Sequence, residues 1–152
     1  MDCLDRLLAS QVPGVIVGEG VSRETIAAAE SAIGIEFSPL LFAFLSRYGA
    51  AAIGAWEIYG LRNDPRDVTA HRLVRESLAF TRSTGVAAIV VSCDYGECNF
   101  VLKPYSASRD DGIIRACNQY DGGECEGWPT GRTFDEFVCD LCNRAASKVA
   151  PH

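Results

Sequence analysis

The sequence is poor in the residues from which most catalytic sites are built. It has two histidines: His152 is the last residue, and His71 is predicted to lie on the polar side of a helix, with no serine or cysteine motif to pair with it. The acidic pairs Asp110-Asp111 and Asp135-Glu136 are adjacent in sequence, and loop solvation and helix capping explain them better than catalysis does. Because no acid, base and nucleophile are assembled, we predict a protein that is not an enzyme and that holds no cofactor.

Long apolar runs and clusters of basic residues are also missing. The longest wholly apolar run, Val86 to Val91, is far shorter than the ~20 residues that span a bilayer, and Asp2 and Asp5 oppose the positive start of a signal peptide. With 20 acidic and 14 basic residues, the net charge of −6 disfavours a partner that is bound through its phosphate backbone. We therefore predict a cytoplasmic protein that binds neither a membrane nor nucleic acid directly.

The chain length of 152 residues suits one compact domain. Residues 1–20 are predicted to form an N-terminal extension, with a short helix around Leu4, Leu7 and Leu8 followed by a loop. The domain itself is predicted to span residues 21–147, and residues 148–152 form a tail. Nothing in the sequence predicts an oligomeric state.

Two amphipathic helix patterns follow the extension and lead into an aromatic strand. Their apolar residues recur at helical spacing, and each pattern is bounded by residues that favour helix ends. The predicted caps are Ser22 and Gly34 for the first helix, and Ser38 with Pro39 and Gly49 for the second. The strand that follows is Gly-Ala-Trp-Glu-Ile-Tyr-Gly over residues 54–60.

The second half of the chain predicts strands and a closing helix. Asp67 or Thr69 is predicted to cap a helix that Gly85 ends, and the apolar segment Ala87–Cys93 is predicted to be a central strand covered on both faces. A turn at residues 94–97, strands at residues 98–103 and 112–117, and an exposed loop at residues 118–131 come next. The last helix opens with a capping box, Thr133-x-x-Glu136. Helices, then antiparallel strands, then a helix indicate an α+β domain.

The opening segment resembles the SUKH superfamily, the fold of fungal cell-wall-assembly regulators and of many bacterial toxin-immunity proteins. In that family an Ile-x3-Glu-x2-Ile/Leu-Gly helix, here Ile26, Glu30, Ile33 and Gly34, precedes a Phe-Leu-x2-Tyr-Gly helix end, here residues 44–49. The closing Phe-x2-Phe helix, at Phe134, is similar as well. The chain departs from the family by placing Ser38 between Phe37 and Pro39, and by having three alanines at residues 50–52.

The resemblance extends over residues 20–147 and implies a single α+β domain, mainly an antiparallel sheet packed against N-terminal helices and a C-terminal helix. It also implies a bacterial immunity protein that neutralises a cognate toxin of a polymorphic toxin system by occluding it. Many such toxins are nucleases or deaminases. A non-enzymatic regulatory adaptor that binds an endogenous protein is the alternative from the same fold.

Seven cysteines are many for this length, and an odd number without a secretory signal indicates free thiols rather than a disulfide framework. Three pairs offer thiols for zinc: Cys93-x4-Cys98, Cys117-x7-Cys125 and Cys139-x2-Cys142. The first two lack the usual Cys-x2-Cys spacing, and the third lies inside a helix, where Cys142 flanks the apolar stripe and Cys139 points outward. Cys139 also lies too far from the helix start for a thioredoxin-like thiolate. We interpret the cysteines as structural, with zinc or thiol chemistry as the alternative.

An acidic surface with aromatic anchors is the predicted partner-binding site, because aromatic hot spots ringed by charge give binding proteins their affinity and association rate. Its predicted members are Trp56, Asp94, Glu97, Tyr120, Asp121, Glu124, Glu126 and Trp128. The alternatives are a solvated loop with Trp128 tucked against the closing helix, and Trp56 in the core. The basic residues Arg62, Arg66, Arg72 and Arg75 are predicted to form a solvated helix face.

Overall fold

The computed structural model describes residues 2–94, 98–102, 113–118 and 128–147. In these ranges the chain forms five α-helices and two antiparallel sheets, which confirms the predicted α+β class. The elements are, in chain order, α1 (Asp2–Ala9), β1 (Val15–Val17), α2 (Arg23–Ile33), α3 (Pro39–Tyr48), β2 (Ala51–Ile53), β3 (Trp56–Ile58), a 3₁₀ turn (Val68–Ala70), α4 (Arg72–Thr84), β4 (Ile89–Asp94), β5 (Cys98–Leu102), β6 (Ile113–Asn118), β7 (Trp128–Thr133) and α5 (Phe134–Ser147). No helix in the described ranges is long and apolar enough to cross a membrane.

The caps of α2 and α3 lie where the sequence predicts them. The hydroxyl oxygen of Ser22 accepts a hydrogen bond from the amide of Thr25 at 3.2 Å, and that of Ser38 accepts one from the amide of Leu41 at 3.3 Å. Gly34 ends α2 in the left-handed conformation, with φ of 76°. The Glu30 carboxylate accepts a hydrogen bond from the Phe37 amide at 2.7 Å, so it fixes the turn between the two helices.

The two sheets have the strand orders β1-β2-β3 and β4-β5-β6-β7. They meet where the chain leaves β3, because the Tyr59 amide donates to the Val91 carbonyl at 2.8 Å and the Ser92 hydroxyl donates to the Glu57 carbonyl at 2.8 Å. The successive residues Ile89, Val90 and Val91 are all at most 1% exposed. Since neighbouring side chains in a strand point to opposite faces, β4 is covered on both sides, as predicted.

The hydrophobic core lies between the sheets and the helices α1, α3 and α5. Leu4, Phe44 and Phe134, one from each of these helices, are fully buried, and the rings of Phe44 and Phe134 meet edge to face at 5.3 Å. The predicted capping box of α5 is present: the Thr133 amide donates to the Glu136 carboxylate at 2.8 Å, and the Glu136 amide donates to the Thr133 hydroxyl at 3.3 Å. The ring contact positions the start of α5 against α3, and the capping box fixes where α5 begins.

The predicted cap of α4 is wrong. Asp67 precedes the 3₁₀ turn and its side chain caps nothing, while His71 is the N-cap residue of α4. The 3₁₀ turn uses the carbonyls of Asp67 and Val68, which accept from the amides of Ala70 and His71 at 3.1 Å each. The α-helix therefore begins after this turn, later than the polar residues suggest.

The predicted exposed loop at residues 118–131 is wrong at both of its ends. Residue 118 ends β6, and residues 128–133 form β7, an edge strand paired with β6. Pro129 and Gly131 are typical of a loop, which is why the sequence predicts one here. An edge strand nevertheless tolerates proline. The pairing with β6 is irregular, since its register shifts between Ile113 and Arg115. Gly131 has φ of 71°, as is common at such irregularities.

One disulfide corrects the prediction that all cysteines are free. Cys3 in α1 is bonded to Cys139 in α5, with Cα atoms 5.3 Å apart. The two residues are separated by 136 positions, so spacing along the chain gave no sign of the pair. Within the described residues, Cys93, Cys117 and Cys142 are not disulfide-bonded.

Removing the disulfide should destabilise the oxidised protein. A loop of this length predicts a loss of up to about 5 kcal/mol in the free energy of unfolding, because the cross-link restricts the unfolded chain. Urea unfolding of the wild type and of Cys3→Ser/Cys139→Ser, each with and without reductant, measures this loss. The double variant is its own control, since reductant should leave its free energy of unfolding unchanged. Equal stability of the oxidised wild type and the variant would contradict the Cys3–Cys139 disulfide.

Gly60 should not accept a side chain. A Cβ there would lie 1.8 Å from the Gly49 carbonyl oxygen, which belongs to rigid backbone. We expect Gly60→Ala to lower the free energy of unfolding by more than about 3 kcal/mol. Gly54→Ala is the matched control: Gly54 has φ of 62° but no atom near the added Cβ, so only the conformational cost of about 1–2 kcal/mol applies. Equal losses in the two variants would rule out the close contact.

Candidate functional site

Four strand ends meet at one end of the larger sheet. Asp94 ends β4 and is paired with Cys98, the first residue of β5, and Cys98 is paired in turn with Asn118, the last residue of β6. Trp128 opens β7 nearby, opposite Ala116. We call this the Asp94 end of the sheet. The segments 95–97 and 119–127 connect to the sheet at this same end, because the strands alternate in direction.

Two of the predicted partner-binding residues belong to strands that end or begin at the Asp94 end. The backbones of Asp94 and Trp128 lie at strand ends there. Five others, Glu97, Tyr120, Asp121, Glu124 and Glu126, lie outside the described residues, in the two segments that connect to this end. Their roles as partner contacts stay a prediction, and the described strands show only that both segments are joined to the sheet at the same end.

Trp56 is half-buried and belongs to an aromatic cluster. Its ring lies 5.5 Å from that of Phe100 in β5 and 6.5 Å from that of Phe137 in α5, in edge-to-face arrangements. Phe100 is paired with Ala116, and Ala116 with Trp128, so the backbone of Trp128 completes the cross-strand row that passes through this cluster. Trp56, which belongs to the smaller sheet, therefore contacts a row of the larger sheet that includes the backbone of Trp128.

The outer side of Trp56 borders a shallow cleft of 270 Å³ between β2, β3 and the end of α5. The cleft is lined by Ile53, Gly54, Ala55, Trp56, Leu141, Arg144, Ala145 and Ser147. Trp56 thus packs on the core with one side and borders the surface with the other. A rigid aromatic side chain in this position has the character of an interface anchor.

Arg72, one of the four residues of the predicted basic helix face, is held in place by specific partners. Arg72 forms an ion pair with Glu57, donates to the Tyr59 hydroxyl at 3.3 Å and lies 4.4 Å above the centre of the Tyr59 ring. Arg62, Arg72 and Arg75 line one cleft of 290 Å³ beside β3 and the start of α4, whereas Arg66 is not among its lining residues. Arg72 is exposed on α4, as the prediction of a solvated helix face requires, and in addition it has fixed partners in Glu57 and Tyr59.

His71 is buried, which corrects its predicted position on the polar side of a helix. Its side chain is only 4% exposed, and its Nδ1 has no hydrogen-bond partner. Burial, reinforced by the nearby charge of Arg62, holds the pKa of His71 below its usual value. Val68 and Val74, three residues before and after it, are also buried, and this spacing was the signal that the sequence offered.

Among the described residues, no three histidine, cysteine or acidic side chains converge on a point where a metal could bind. Cys117 and Cys142 are buried, and burial raises the pKa of the Cys142 thiol, which keeps it protonated. Cys125 lies outside the described residues, and only the backbone of Cys98 is described. Cys117 and Cys142 therefore lie in the hydrophobic core, whereas Cys3 and Cys139 form the α1–α5 cross-link.

Acidification should lower the free energy of unfolding, because His71 is buried. Because its pKa is lower in the folded chain than the usual 6.5, the unfolded chain binds the proton more readily, and stability should fall as the pH drops below about 6.5. Urea unfolding from pH 8 to pH 5.5 measures the slope, which His71→Gln should reduce. His152→Gln is the matched control and should retain the slope; an unchanged slope in His71→Gln would show that other groups cause it.

Comparison with known proteins agrees with this fold. The model of the SUKH_5 family, described as SMI1-KNR4 cell-wall, matches residues 2–142, from the first helix into the last. No curated protein matches the chain significantly. The match includes the capped helices, both sheets and most of α5. The chain therefore belongs to the SUKH_5 family of the SUKH superfamily.

Proposed function

We propose that this protein is an immunity protein, which binds a cognate bacterial polymorphic toxin and neutralises it by occlusion. The observation that carries the proposal is membership in the SUKH superfamily, whose members are generally non-enzymatic immunity or regulatory proteins. The partner is accordingly a protein, and the immunity protein performs no chemistry of its own. In the cell, such a protein acts in the cytoplasm, where the toxin would otherwise reach its target.

The Asp94 end of the sheet is the proposed contact surface. Its acidic residues are Asp94, Glu97, Asp121, Glu124 and Glu126, and its aromatic residues are Trp56, Tyr120 and Trp128. The shared end of β4 and β6 supports this grouping, since both acidic segments connect to the sheet there. The half-buried Trp56 supports it further, because its ring is already fixed by Phe100 and Phe137.

The proposed mechanism is steric and electrostatic. A nuclease or deaminase toxin carries a basic groove for its nucleic-acid substrate, and an acidic inhibitor is steered toward such a groove by long-range attraction. Once docked, rigid aromatic side chains exclude water and slow dissociation. Since the charges act mainly before contact, their removal affects the association rate most.

Reversing charge in the acidic segment should slow toxin binding. For Asp121→Lys/Glu124→Lys we expect the association rate with the cognate toxin to fall roughly tenfold at low salt, and the salt dependence of that rate to weaken. Stopped-flow or surface-based kinetics at several salt concentrations measure both. The matched control is Glu24→Lys/Glu36→Lys, which changes the net charge equally on exposed residues of α2 and the following turn. Unchanged kinetics in the first variant would remove the acidic segment from the interface.

A regulatory adaptor is the second candidate, and it is favoured by the match to a family described as SMI1-KNR4 cell-wall. The neighbouring reading frame discriminates the two candidates: a large toxin-like gene beside this one supports immunity. Co-expression is the decisive test, since only an immunity protein protects cells from that toxin. Survival equal to that of cells without the protein would favour the adaptor.

A further inference from the structure

The Cys3–Cys139 disulfide lies at the edge of the contact between α1 and α5. Both cysteines are half-buried, whereas their neighbours Leu4 and Val138 are at most 1% exposed. The guanidinium group of Arg6, an exposed residue, lies 3.6 Å from the Cys3 sulfur. Thiol–disulfide exchange requires that an attacking thiolate reach one of the two sulfurs. The position of the bond at the surface therefore opens it to exchange while the protein stays folded.

Arg6 favours Cys3 as the sulfur that leaves when the bond is broken. Its positive charge stabilises a thiolate on Cys3, and a stabilised thiolate leaves faster. Cys139, in contrast, follows Asp135 by four residues in α5, so a carboxylate one helical turn away opposes a thiolate there. An attacking thiolate is therefore directed to the sulfur of Cys139.

Two kinds of contact other than the disulfide hold α1 on the domain. Leu4 and Leu7 are buried, and the Asp5 carboxylate accepts a hydrogen bond from the Tyr48 hydroxyl at 2.6 Å and pairs with Arg47 at 2.8 Å. Burial and this hydrogen bond raise the pKa of Tyr48 to about 12, so the hydroxyl keeps the proton that it donates. With 8 residues, α1 is shorter than the ~12–15 residues that an isolated helix needs. It is therefore helical only while it is docked.

We propose that the Cys3–Cys139 pair is a site of reversible thiol–disulfide exchange with dithiol reductants and organic disulfides, and that this exchange controls the opening of α1. One thiolate of the dithiol attacks the Cys139 sulfur, the bond between the two cysteines breaks, and Cys3 leaves as a thiolate that takes a proton from water. The second thiolate then attacks the reductant sulfur bound to Cys139, which completes the reductant's own disulfide and releases Cys139 as a thiol. Two electrons pass from the reductant to the cysteine pair.

The reverse exchange restores the bond, and the organic disulfide is reduced to thiols. Docking of α1 keeps the two cysteines close, with Cα atoms 5.3 Å apart in the bonded state, so oxidation does not require the domain to refold. The proposal is independent of toxin binding, because it rests on residues that the Asp94 end does not include.

The two redox states differ in how α1 opens. In the oxidised state α1 is tied at both ends, at Cys3 by the disulfide and after its last turn by the pairing of β1 with β2. In the reduced state only the end next to β1 is tied. The helix then leaves the domain as a unit and exposes Leu4 and Leu7, while the sheets and the other helices stay folded.

Reduction of the native protein tests the access to the bond. Dithiothreitol is added to the oxidised chain at several concentrations without urea, free thiols are alkylated, and the peptides of Cys3 and Cys139 are quantified by mass spectrometry. We expect a rate proportional to the dithiothreitol concentration, and oxidised glutathione should restore the bond. Arg6→Gln should slow reduction several-fold, whereas Arg82→Gln, which alters an exposed arginine of α4, should not. Equal rates in these two variants, or a rate that levels off at the rate of global unfolding, would overturn the proposal.

Hydrogen exchange of the intact protein tests the opening of α1. The reference is the Val90 amide in the core, which donates to the Ser77 hydroxyl oxygen at 2.9 Å. In the reduced protein we expect the amides of α1 to exchange at least roughly tenfold faster than this reference, because they are released without global unfolding. Oxidation should remove the difference. A difference from Val90 that is the same in both redox states would overturn the switch.

Variants connect the opening to the docking contacts of α1. Asp5→Asn weakens the contact with Tyr48, so it should accelerate exchange in α1 in the reduced protein and have little effect in the oxidised protein. Asp2→Asn is the matched control, since it removes an exposed carboxylate from the same helix. Cys3→Ser/Cys139→Ser, checked for folding by circular dichroism, should match the reduced protein in any redox buffer. Equal effects of Asp5→Asn in the two redox states would contradict the locking of α1 by the disulfide.

Discussion

The fold depends on a crossing of three backbone segments that only glycine permits. A Cβ at Gly60 would lie 1.8 Å from the Gly49 carbonyl oxygen, and one at Gly20 would lie 2.1 Å from the Ser46 carbonyl oxygen. Hydrogen bonds from Leu61 to Gly49 at 3.0 Å and from Gly18 to Ala50 at 2.9 Å close the crossing. Because β1, the end of α3 and the exit of β3 all pass through it, the crossing fixes where Tyr59 meets β4 and where Arg62 reaches its cleft.

The parts of the fold that could be predicted from the sequence are those that local chemistry decides. Ser22, Ser38 and the Thr133 capping box act within a few residues, and the structure reproduces them. The disulfide could not be predicted because its cysteines are 136 positions apart, and β7 could not because its strand conformation depends on pairing with β6. The tertiary pairing of β7 outweighed the turn preferences of proline and glycine.

The candidate sites follow the same division between local and distant causes. The half-buried position of Trp56 arises from Phe100 and Phe137, which no pattern around residue 56 reveals. The spacing of His71 from Val68 and Val74, which are both buried, indicates a buried position. The arginines next to His71 in the sequence indicate an exposed one, and they outweighed the spacing. Trp56 and Glu57 are neighbours in β3, so their side chains point to opposite faces. One short strand thereby contributes to both the proposed protein contact and the cleft that Arg62, Arg72 and Arg75 line.

The pairing of α1 with α5 has a consequence for synthesis of the chain on the ribosome. Leu4 is fully buried, yet Cys3 in the same helix is joined to a residue 136 positions later. The first helix therefore cannot complete its packing until the last one has been made, and such long-range contacts slow folding. The apolar face of α1 therefore stays without its partner in the nascent chain until α5 has left the ribosome, so α1 is the first helix to be made and among the last to be packed.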